Sequence, residues 1–315
     1  MSRARTGAAI LVTTFLVAAC GGSDSPKSTG STQKKSSNPP SVTGETSQAA
    51  DWKTIITGDW SLDPGTESYT CVRQTLDEDL IISSFDAINP TGTHHTLLTV
   101  GDPQNPDGIE ACTAADNYTL SIFGSGVGTN EFDFPEGVAV RVEKGKQLNL
   151  NLHLFNTSSD PLSGTSGTRV KVMKAADVKD FAEGILAGTI DLTLPPHEQT
   201  TSVGYCAMTH DVTLFSVAPH MHQLGTYMKV VAEPAGSDEV VLHDGPYDFT
   251  EQRYYSIDPL ELAQGDTVRV ECTHTNTTDH LVTFGDSSLA EMCFAGIYRY
   301  PADGDAFPCI AGAHP

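Results

Sequence analysis

The chain has 315 residues and a formal net charge of −22, with 40 acidic against 18 basic side chains. A body this acidic repels phosphate backbones and anionic lipid surfaces, so the composition excludes a nucleic-acid-binding protein. The charge otherwise indicates solubility and says little about a substrate.

The first 19 residues have the features of an export signal. Arg3 and Arg5 precede the apolar run GAAILVTTFLVAA, which is too short to span a membrane as a mature helix. The ending LVAAC resembles the lipobox of bacterial lipoproteins, which implies cleavage before Cys20 and lipidation of its thiol. An ordinary cleaved signal with Cys20 as a bystander is the alternative. Gly21 in place of an aspartate argues against inner-membrane retention, so we expect the outer membrane or the periplasmic or cell surface.

Residues 20–50 follow as a lipidated cysteine and a tether. They are dominated by Ser, Thr, Gly, Pro and Lys, and they contain almost nothing that could form a core. About 265 residues remain after this segment, enough for two domains of ordinary size.

The rest of the chain predicts an all-β protein. Short runs of Val, Ile, Leu, Thr and Tyr alternate with Gly, Pro, Asn and Asp clusters, which is typical of antiparallel β-sandwiches and not of a parallel α/β sheet. One helix is predicted over residues 175–186, and a domain boundary near residues 184–196, which divides the body into 51–185 and 186–315. Strands are predicted over residues 79–85, 94–100, 137–143, 148–155, 168–173, 189–194, 212–217, 227–233, 239–243 and 266–274.

Six cysteines remain besides Cys20, an even number that indicates three disulfides in an exported chain. No CxxC pair is present, so a cysteine-based zinc site is not expected. Cys71 and Cys112 are the two cysteines of the predicted first domain, and pairing within domains joins them. The other four lie in the second domain, where their pairing stays open.

The segment LNLNLHLF carries a histidine on the polar face of a strand. Because side chains alternate, Leu148, Leu150, Leu152 and Leu154 share one face, and His153 points to the other with two asparagines. His153 is therefore not a core residue, and it could reach a metal or simply water.

His94 and His95 are adjacent, and neighbours on a regular strand face opposite ways. Both rings could bind one metal only if the strand is strongly twisted, bulged or just beginning at that point. The preceding Thr91-Gly92-Thr93 makes a strand start plausible.

In APHMHQLG, His220 and His222 have the spacing that puts two rings on the same face of a strand. Met292, beside Cys293, could add a thioether ligand if a disulfide holds Cys293 in place. A thioether beside two imidazoles favours Cu(I) over zinc or magnesium, although a methionine is more often core filler. The remaining histidines are expected at the surface or in support of a site: His197, His210, His243, His274, His280 and His314.

Taken together, five segments in this order resemble the copper type II, ascorbate-dependent monooxygenases, the family of peptidylglycine α-hydroxylating monooxygenase and dopamine β-monooxygenase. The resemblance covers most of residues 68–300. The segments that carry it are GTHHTLL, LNLHLFN, FAEGILAGTIDLTLPP, PHMHQLG and DSSLAEMC.

The resemblance implies two jelly-roll β-sandwich domains packed side by side, with one copper on each. It implies that His94, His95 and His153 bind the electron-supplying copper, and that His220, His222 and Met292 bind the copper at which oxygen reacts. It also implies disulfides Cys71–Cys112, Cys206–Cys309 and Cys272–Cys293.

Four positions depart from the family pattern. Thr96 replaces a methionine that is not a ligand, and Asn151 replaces a glutamine. Ala218 and Gly296 replace an arginine and a tyrosine that hold peptide in the peptide-processing members. A glycine-extended peptide is therefore not the expected substrate.

The expected function is hydroxylation of a substrate C–H bond with O2 and an external reductant such as ascorbate, by an enzyme with two separate copper sites. The alternative is a non-catalytic copper-capture lipoprotein of the cell envelope. The expected partners are a small-molecule substrate, O2 and the membrane through the lipid anchor, and the expected state is a monomer.

Overall fold

A computed structural model describes residues 52–118, 120–304 and 309–310. The predicted signal, Cys20 and the tether lie outside these residues. The described chain is all-β, as predicted, with antiparallel sheets and three disulfides and with no α-helix. It contains no helix that is both long and apolar enough to cross a membrane.

Strands of the N-terminal half, residues 52–181, form a six-stranded and a five-stranded sheet. The first has the order β1-β10-β3-β8-β11 with β7 beside β3, and the second has the order β5-β2-β9-β4-β6. The strands are β1 (Lys53–Leu62), β2 (Glu67–Thr75), β3 (Leu80–Ile88), β4 (Thr93–Gly101), β5 (Gly108–Ala111), β6 (Leu120–Gly126), β7 (Phe132–Asp133), β8 (Val138–Val142), β9 (Gln147–Phe155), β10 (Leu162–Val172) and β11 (Asp180–Phe181).

The C-terminal half, residues 183–310, forms two four-stranded sheets with the orders β12-β21-β15-β18 and β14-β19-β16-β17, and a small pair β13-β20. The strands are β12 (Glu183–Thr189), β13 (Thr193–Leu194), β14 (Gln199–Ala207), β15 (Val212–His220), β16 (Gly225–Glu233), β17 (Val240–Pro246), β18 (Tyr255–Leu262), β19 (Thr267–Thr275), β20 (Val282–Thr283) and β21 (Cys293–Tyr300).

The two halves repeat one strand order. The series β1-β10-β3-β8 corresponds to β12-β21-β15-β18, and β2-β9-β4-β6 corresponds to β14-β19-β16-β17. The same corner follows the central strands β9 and β19. Asn156 Oδ1 accepts hydrogen bonds from the backbone and side chain of Ser158, and Asn276 Oδ1 does the same for Thr278. The sequence shows no evident internal repeat, so the equivalence of the two halves is visible only in the structure.

The predicted helix over residues 175–186 is wrong. A single 3₁₀ turn covers Ala175–Asp177, and β11 and the start of β12 occupy most of the remaining residues. Sheet pairing outweighs helix propensity in this segment. β12 pairs antiparallel with β21, and the N–H of Ala182 donates to the carbonyl of Ala139. Backbone pairing across the sheet satisfies groups that an isolated helix of this length would expose to water.

Each half has its own apolar core. The predicted apolar face of β9 is confirmed, since Leu148, Leu150, Leu152 and Leu154 are at most 1% exposed and lie in the N-terminal core. The C-terminal core is one buried cluster that includes Leu214, Val230, Val270 and Ile297 together with Cys272 and Cys293.

Aromatic side chains join the two halves. Phe132 of the N-terminal half packs against Tyr254 at 4.5 Å and against Tyr298 at 5.0 Å between ring centroids. Phe134 packs edge-on against Phe215 at 5.2 Å. Such pairs contribute about 0.5–1.5 kcal/mol each beyond the area that they bury. The contact holds the sheets that carry the candidate sites against one another.

Candidate metal centres

The first histidine cluster consists of His94, His95 and His153, on the neighbouring strands β4 and β9. The register of these strands passes from Thr93 opposite Leu154 to His95 opposite His153, so His94 is an extra residue in β4. A β-bulge is one of the three arrangements that would let both adjacent histidines bind one metal, and it is the one present. A bulge rotates one side chain out of the normal alternation, and both rings therefore reach the face that carries His153.

The three rings present the same nitrogen to a common point. Nδ1 of His94 lies 3.1 Å from Nδ1 of His95 and 3.1 Å from Nδ1 of His153, and the last two atoms are 3.3 Å apart. Three neutral imidazoles cannot satisfy all three contacts by hydrogen bonds among these nitrogens. A point shared by the three atoms lies about 2 Å from each, which is the length of a metal–imidazole bond. The cluster therefore fits a metal ion.

Glu67 determines which nitrogen of His153 is available. Nε2 of His153 donates a hydrogen bond to the Glu67 carboxylate, so the lone pair is on Nδ1, inside the cluster. The ring is also stacked on Tyr69, with 4.3 Å between centroids and 3° between planes. A carboxylate behind a ligating histidine orients the ring and makes it a better donor to a metal.

The cluster is electrically neutral near neutral pH. Burial, together with the neighbouring rings, lowers the pKa of His94 to about 4 and that of His95 well below its usual value. Burial also lowers the pKa of His153, although Glu67 opposes the shift. Neutral imidazoles are the form that binds metals, so protons do not compete for this site at pH 7.

A loop covers the polar face of β9. Nδ2 of Asn149 donates to the carbonyl of Asp116, and Nδ2 of Asn151 donates to the carbonyl of Thr113. The disulfide Cys71–Cys112 ties the start of this loop to β2. His153 is consequently only 1% exposed, and it faces the other two rings and not open solvent.

The second site begins at His220, the last residue of β15. Its Nδ1–H donates to Oε1 of Gln252 at 2.9 Å, and Nε2 of Gln252 donates to the carbonyl of Phe249, which fixes the orientation of the amide. Nδ1 of His222 donates to the carbonyl of Ala290 at 3.0 Å. In both rings the lone pair is therefore on Nε2. Burial lowers the pKa of His220 to about 4 and lowers that of His222 as well.

The strand ends before His222, so strand alternation does not position that ring. The buried Glu291 carboxylate does so, because it accepts hydrogen bonds from the N–H groups of His222 and Leu224, at 2.9 and 2.7 Å. Burial alone would raise the pKa of Glu291, but these bonds and the one from His274 together lower it. Met221, between the two histidines, is fully buried in the C-terminal core.

Met292 is held in place by its neighbours. Its carbonyl accepts a hydrogen bond from Nε2 of His274 at 3.1 Å, and its N–H donates to Glu291. Cys293 is bound to Cys272 of β19.

The structure contains all three expected disulfides, Cys71–Cys112, Cys206–Cys309 and Cys272–Cys293.

Both sites border one cleft between the halves. The cleft has a volume of about 390 Å³, and its lining includes His95 together with His220, His222 and Met292. The ring of Phe249 lies between the sites, 4.6 Å from the ring of His94 and 6.3 Å from that of His222.

The loop of residues 247–254, between β17 and β18, crosses from one half to the other. Besides Phe249 and Gln252 it contains Tyr254, whose hydroxyl accepts from the N–H of Gly124 and donates to its carbonyl. The N–H of Gln252 donates to the carbonyl of Val127. This connecting loop therefore contacts both sites and fastens the second one to the N-terminal half.

The sequence interpretation gave no role to Glu67, Gln252, Phe249 or Glu291, and it treated His274 as a default surface or supporting residue. His274 is in fact buried, at 1% exposure, against Glu291. The only local indication was for Glu291, which precedes Met292 directly. The others contact site residues that lie 18 to 155 positions away in the sequence, and they carry no local pattern.

A second group of candidate ligand atoms lies at Glu183, His210 and Asp303. Its carboxylates are already engaged, because Glu183 pairs with the buried Arg299 at 2.7 Å and His210 pairs with Asp303 at 2.7 Å. The guanidinium supplies the positive charge that an ion would bring, so this group is an ion-pair network and not a metal centre.

Comparison with known families agrees with these motifs. Residues 182–312 match the family model described as copper type II ascorbate-dependent monooxygenase, C-terminal domain. This match supports the resemblance to the copper type II, ascorbate-dependent monooxygenases that the sequence motifs indicate. No curated protein matches the chain.

Proposed function

We propose that the protein is a monooxygenase with two mononuclear copper sites, one at His94, His95 and His153 and one at His220, His222 and Met292. The family is copper- and ascorbate-dependent, which supports copper and a reductant in general terms. The observation that carries the proposal is the convergence of three Nδ1 atoms at 3.1–3.3 Å, across one cleft from a second histidine pair.

The overall reaction inserts one oxygen atom of O2 into a substrate C–H bond. The other oxygen atom leaves as water, with two electrons from a reductant such as ascorbate and two protons. Copper at the two sites, when bound, supplies the one-electron transfers and the oxygen chemistry. The protein holds the ligands in fixed tautomers, through Glu67 at one site and through Gln252 and the Ala290 carbonyl at the other.

Met292 and the cleft determine what this chemistry can reach. A thioether favours Cu(I), so Met292 suits a site that must stay reduced until oxygen arrives. The cleft gives a substrate access to the second site and to the space between the two sites. The aromatic contact between the halves opposes changes in the separation of the sites, and the disulfides stiffen each half.

Each half is proposed to be a jelly-roll sandwich, which the repeated strand order supports. The boundary between domains is proposed at residues 185/186. The export signal, the lipidated Cys20 and an envelope location are likewise proposals from the sequence.

Copper titration of the metal-free protein tests the two-site proposal. Two coppers per chain are expected, falling to one in His153→Ala and to one in His222→Ala, while the His210→Ala control keeps two. The loaded enzyme should then consume oxygen with ascorbate and a substrate. One copper per chain, unaffected by His153→Ala, would instead support a copper-capture protein, because capture needs a single good site.

A further inference from the structure

The cleft widens beside His220 over a floor of small residues. β15 and β21 pair so that His220 lies opposite Phe294, and Ala218 lies opposite Gly296. Residues two apart share a face, so the Ala218 and Gly296 pair is about 7 Å along the strands from His220, on the same side of the sheet. A Cβ on Gly296 would meet nothing nearer than the Cβ of Ala218, at 3.5 Å. The floor next to the second site is therefore open.

Two of the tyrosines that line the cleft, Tyr254 and Tyr298, present ring surfaces and not hydroxyl donors. Tyr254 uses its hydroxyl to donate to and accept from Gly124, and Tyr298 donates its hydroxyl to the carbonyl of Ile122. Both O–H groups are satisfied by the backbone of β6 and offer no hydrogen-bond donor to a molecule in the cleft. Leu97, Leu186, Phe294 and others add to the apolar lining.

Charged groups among the described lining residues, the histidines aside, are Arg253 and Asp286. Arg253 is about half exposed and already pairs with Glu251, and Asp286 is exposed. No carboxylate or ammonium group of these lining residues is buried at the floor. A charged substrate lying there would lose its hydration without gaining a buried partner of opposite charge, which costs free energy.

We propose that the substrate is a neutral, largely apolar small molecule that binds over Ala218 and Gly296, with its reacting C–H bond towards His220. This rests on the proposed function and adds the substrate class to it. A volume of about 390 Å³ suits a compact molecule, at the lower end of the range of small-molecule pockets.

The test uses three probes with one skeleton: propylbenzene, 3-phenylpropionate and 3-phenylpropylamine. Their binding is measured by ligand-observed NMR on the full chain, both metal-free and copper-loaded. We expect propylbenzene to bind at least about tenfold more tightly than either charged probe in the metal-free protein. Gly296→Leu, which fills the floor, should abolish this binding, and Gly296→Ala should weaken it. Gly245→Leu, on β17 away from the cleft, is the matched control and should leave it unchanged.

The inference is wrong if a charged probe binds the metal-free protein as tightly as propylbenzene, or if Gly296→Leu keeps full binding while its unfolding transition matches the parent. If Gly296→Leu does not fold, the partial loss in Gly296→Ala decides the point. Copper stoichiometry is measured on the same samples. Two coppers with preferred binding of a charged probe would overturn the substrate class alone. One copper with neutral-probe binding would overturn the two-site enzyme alone.

Discussion

At the scale of single residues, the ligands depend on the groups behind them. His153 presents Nδ1 to the cluster because Glu67 accepts the hydrogen bond from Nε2. His220 and His222 present Nε2 because acceptors occupy Nδ1. A neutral imidazole has only one nitrogen lone pair for a metal. A hydrogen bond donated by one ring nitrogen therefore leaves the other nitrogen as the metal-binding atom.

Replacing Glu67 with Gln should weaken copper binding at the first cluster by about 10- to 100-fold, the range found when the partner of a ligating histidine is lost. The uncharged amide orients His153 less strongly and can also turn its NH2 group towards the ring. Competition titration against a copper chelator measures the effect. Glu136→Gln, at an exposed ion pair with Lys179, is the control. Equal affinities for both variants would show that Glu67 does not support the site.

Gln252 offers a rescue experiment at the second site. Gln252→Leu leaves Nδ1 of His220 without an acceptor, so we expect about tenfold weaker binding of the second copper. Gln252→Glu keeps an acceptor oxygen and should restore most of the affinity. The same chelator titration separates the two variants. Loss of affinity in both would point to disruption of the connecting loop and not to the lost hydrogen bond.

At the scale of elements, the first cluster depends on the entry into β4. Gly92 precedes the bulge with φ of +102°, and a Cβ there would lie 2.5 Å from Cη2 of Trp60. Trp60 is buried, and its Nε1 donates to Ser166 at 2.7 Å, so the ring has little freedom to move. Only glycine fits at position 92, because its backbone lies so close to the indole ring of Trp60.

Gly92→Ala should lower the free energy of unfolding by more than Gly145→Ala does. Gly145 has φ of +85°, but a Cβ at that position would have no atom within 4 Å, so its substitution carries only the backbone strain, about 1 kcal/mol. Gly92→Ala adds the clash, for a total of about 2–4 kcal/mol. Urea unfolding of the metal-free proteins gives both values. Equal losses would mean that Trp60 moves aside at no cost.

At the scale of the whole molecule, five buried or partly buried histidines form the two clusters that border the cleft, and burial lowers the pKa of each. As pH falls below about 6.5, the unfolded chain binds protons that the folded chain does not accept. The free energy of unfolding therefore decreases as pH falls. For His94 and His220 the decrease continues to their folded pKa of about 4 and ends below it.

Unfolding of the metal-free protein between pH 7 and pH 4 should show this loss. His94→Gln should reduce the slope by up to about one proton within that window. His280→Gln, in an exposed turn, is the control. An unchanged slope in His94→Gln would contradict the assignment of His94 as a neutral buried ring.

Much of the β-structure follows from local patterns. The alternation in LNLNLHLF predicts both the buried leucines and the opposite placement of His153, because the period of a strand is two. The helix predicted at residues 175–186 fails because the partner strands, β8 and β21, lie far away in sequence. Pairing with distant strands outweighs the local helix propensity, and the sequence of the segment itself does not indicate it.

The sequence alone determined the all-β class, the resemblance to the copper monooxygenase family and the candidate ligands, since these depend on residue types and short spacings. Only the tertiary structure decided that a bulge at His94 brings adjacent histidines to one face and that Glu67 and Gln252 select the donor nitrogens. It also decided that small residues form the floor of an apolar cleft. The physical reason is that each of these features is formed by two segments that are distant in the sequence. The register shift needs two paired strands, the hydrogen bond spans 86 positions, and the cavity lies between sheets.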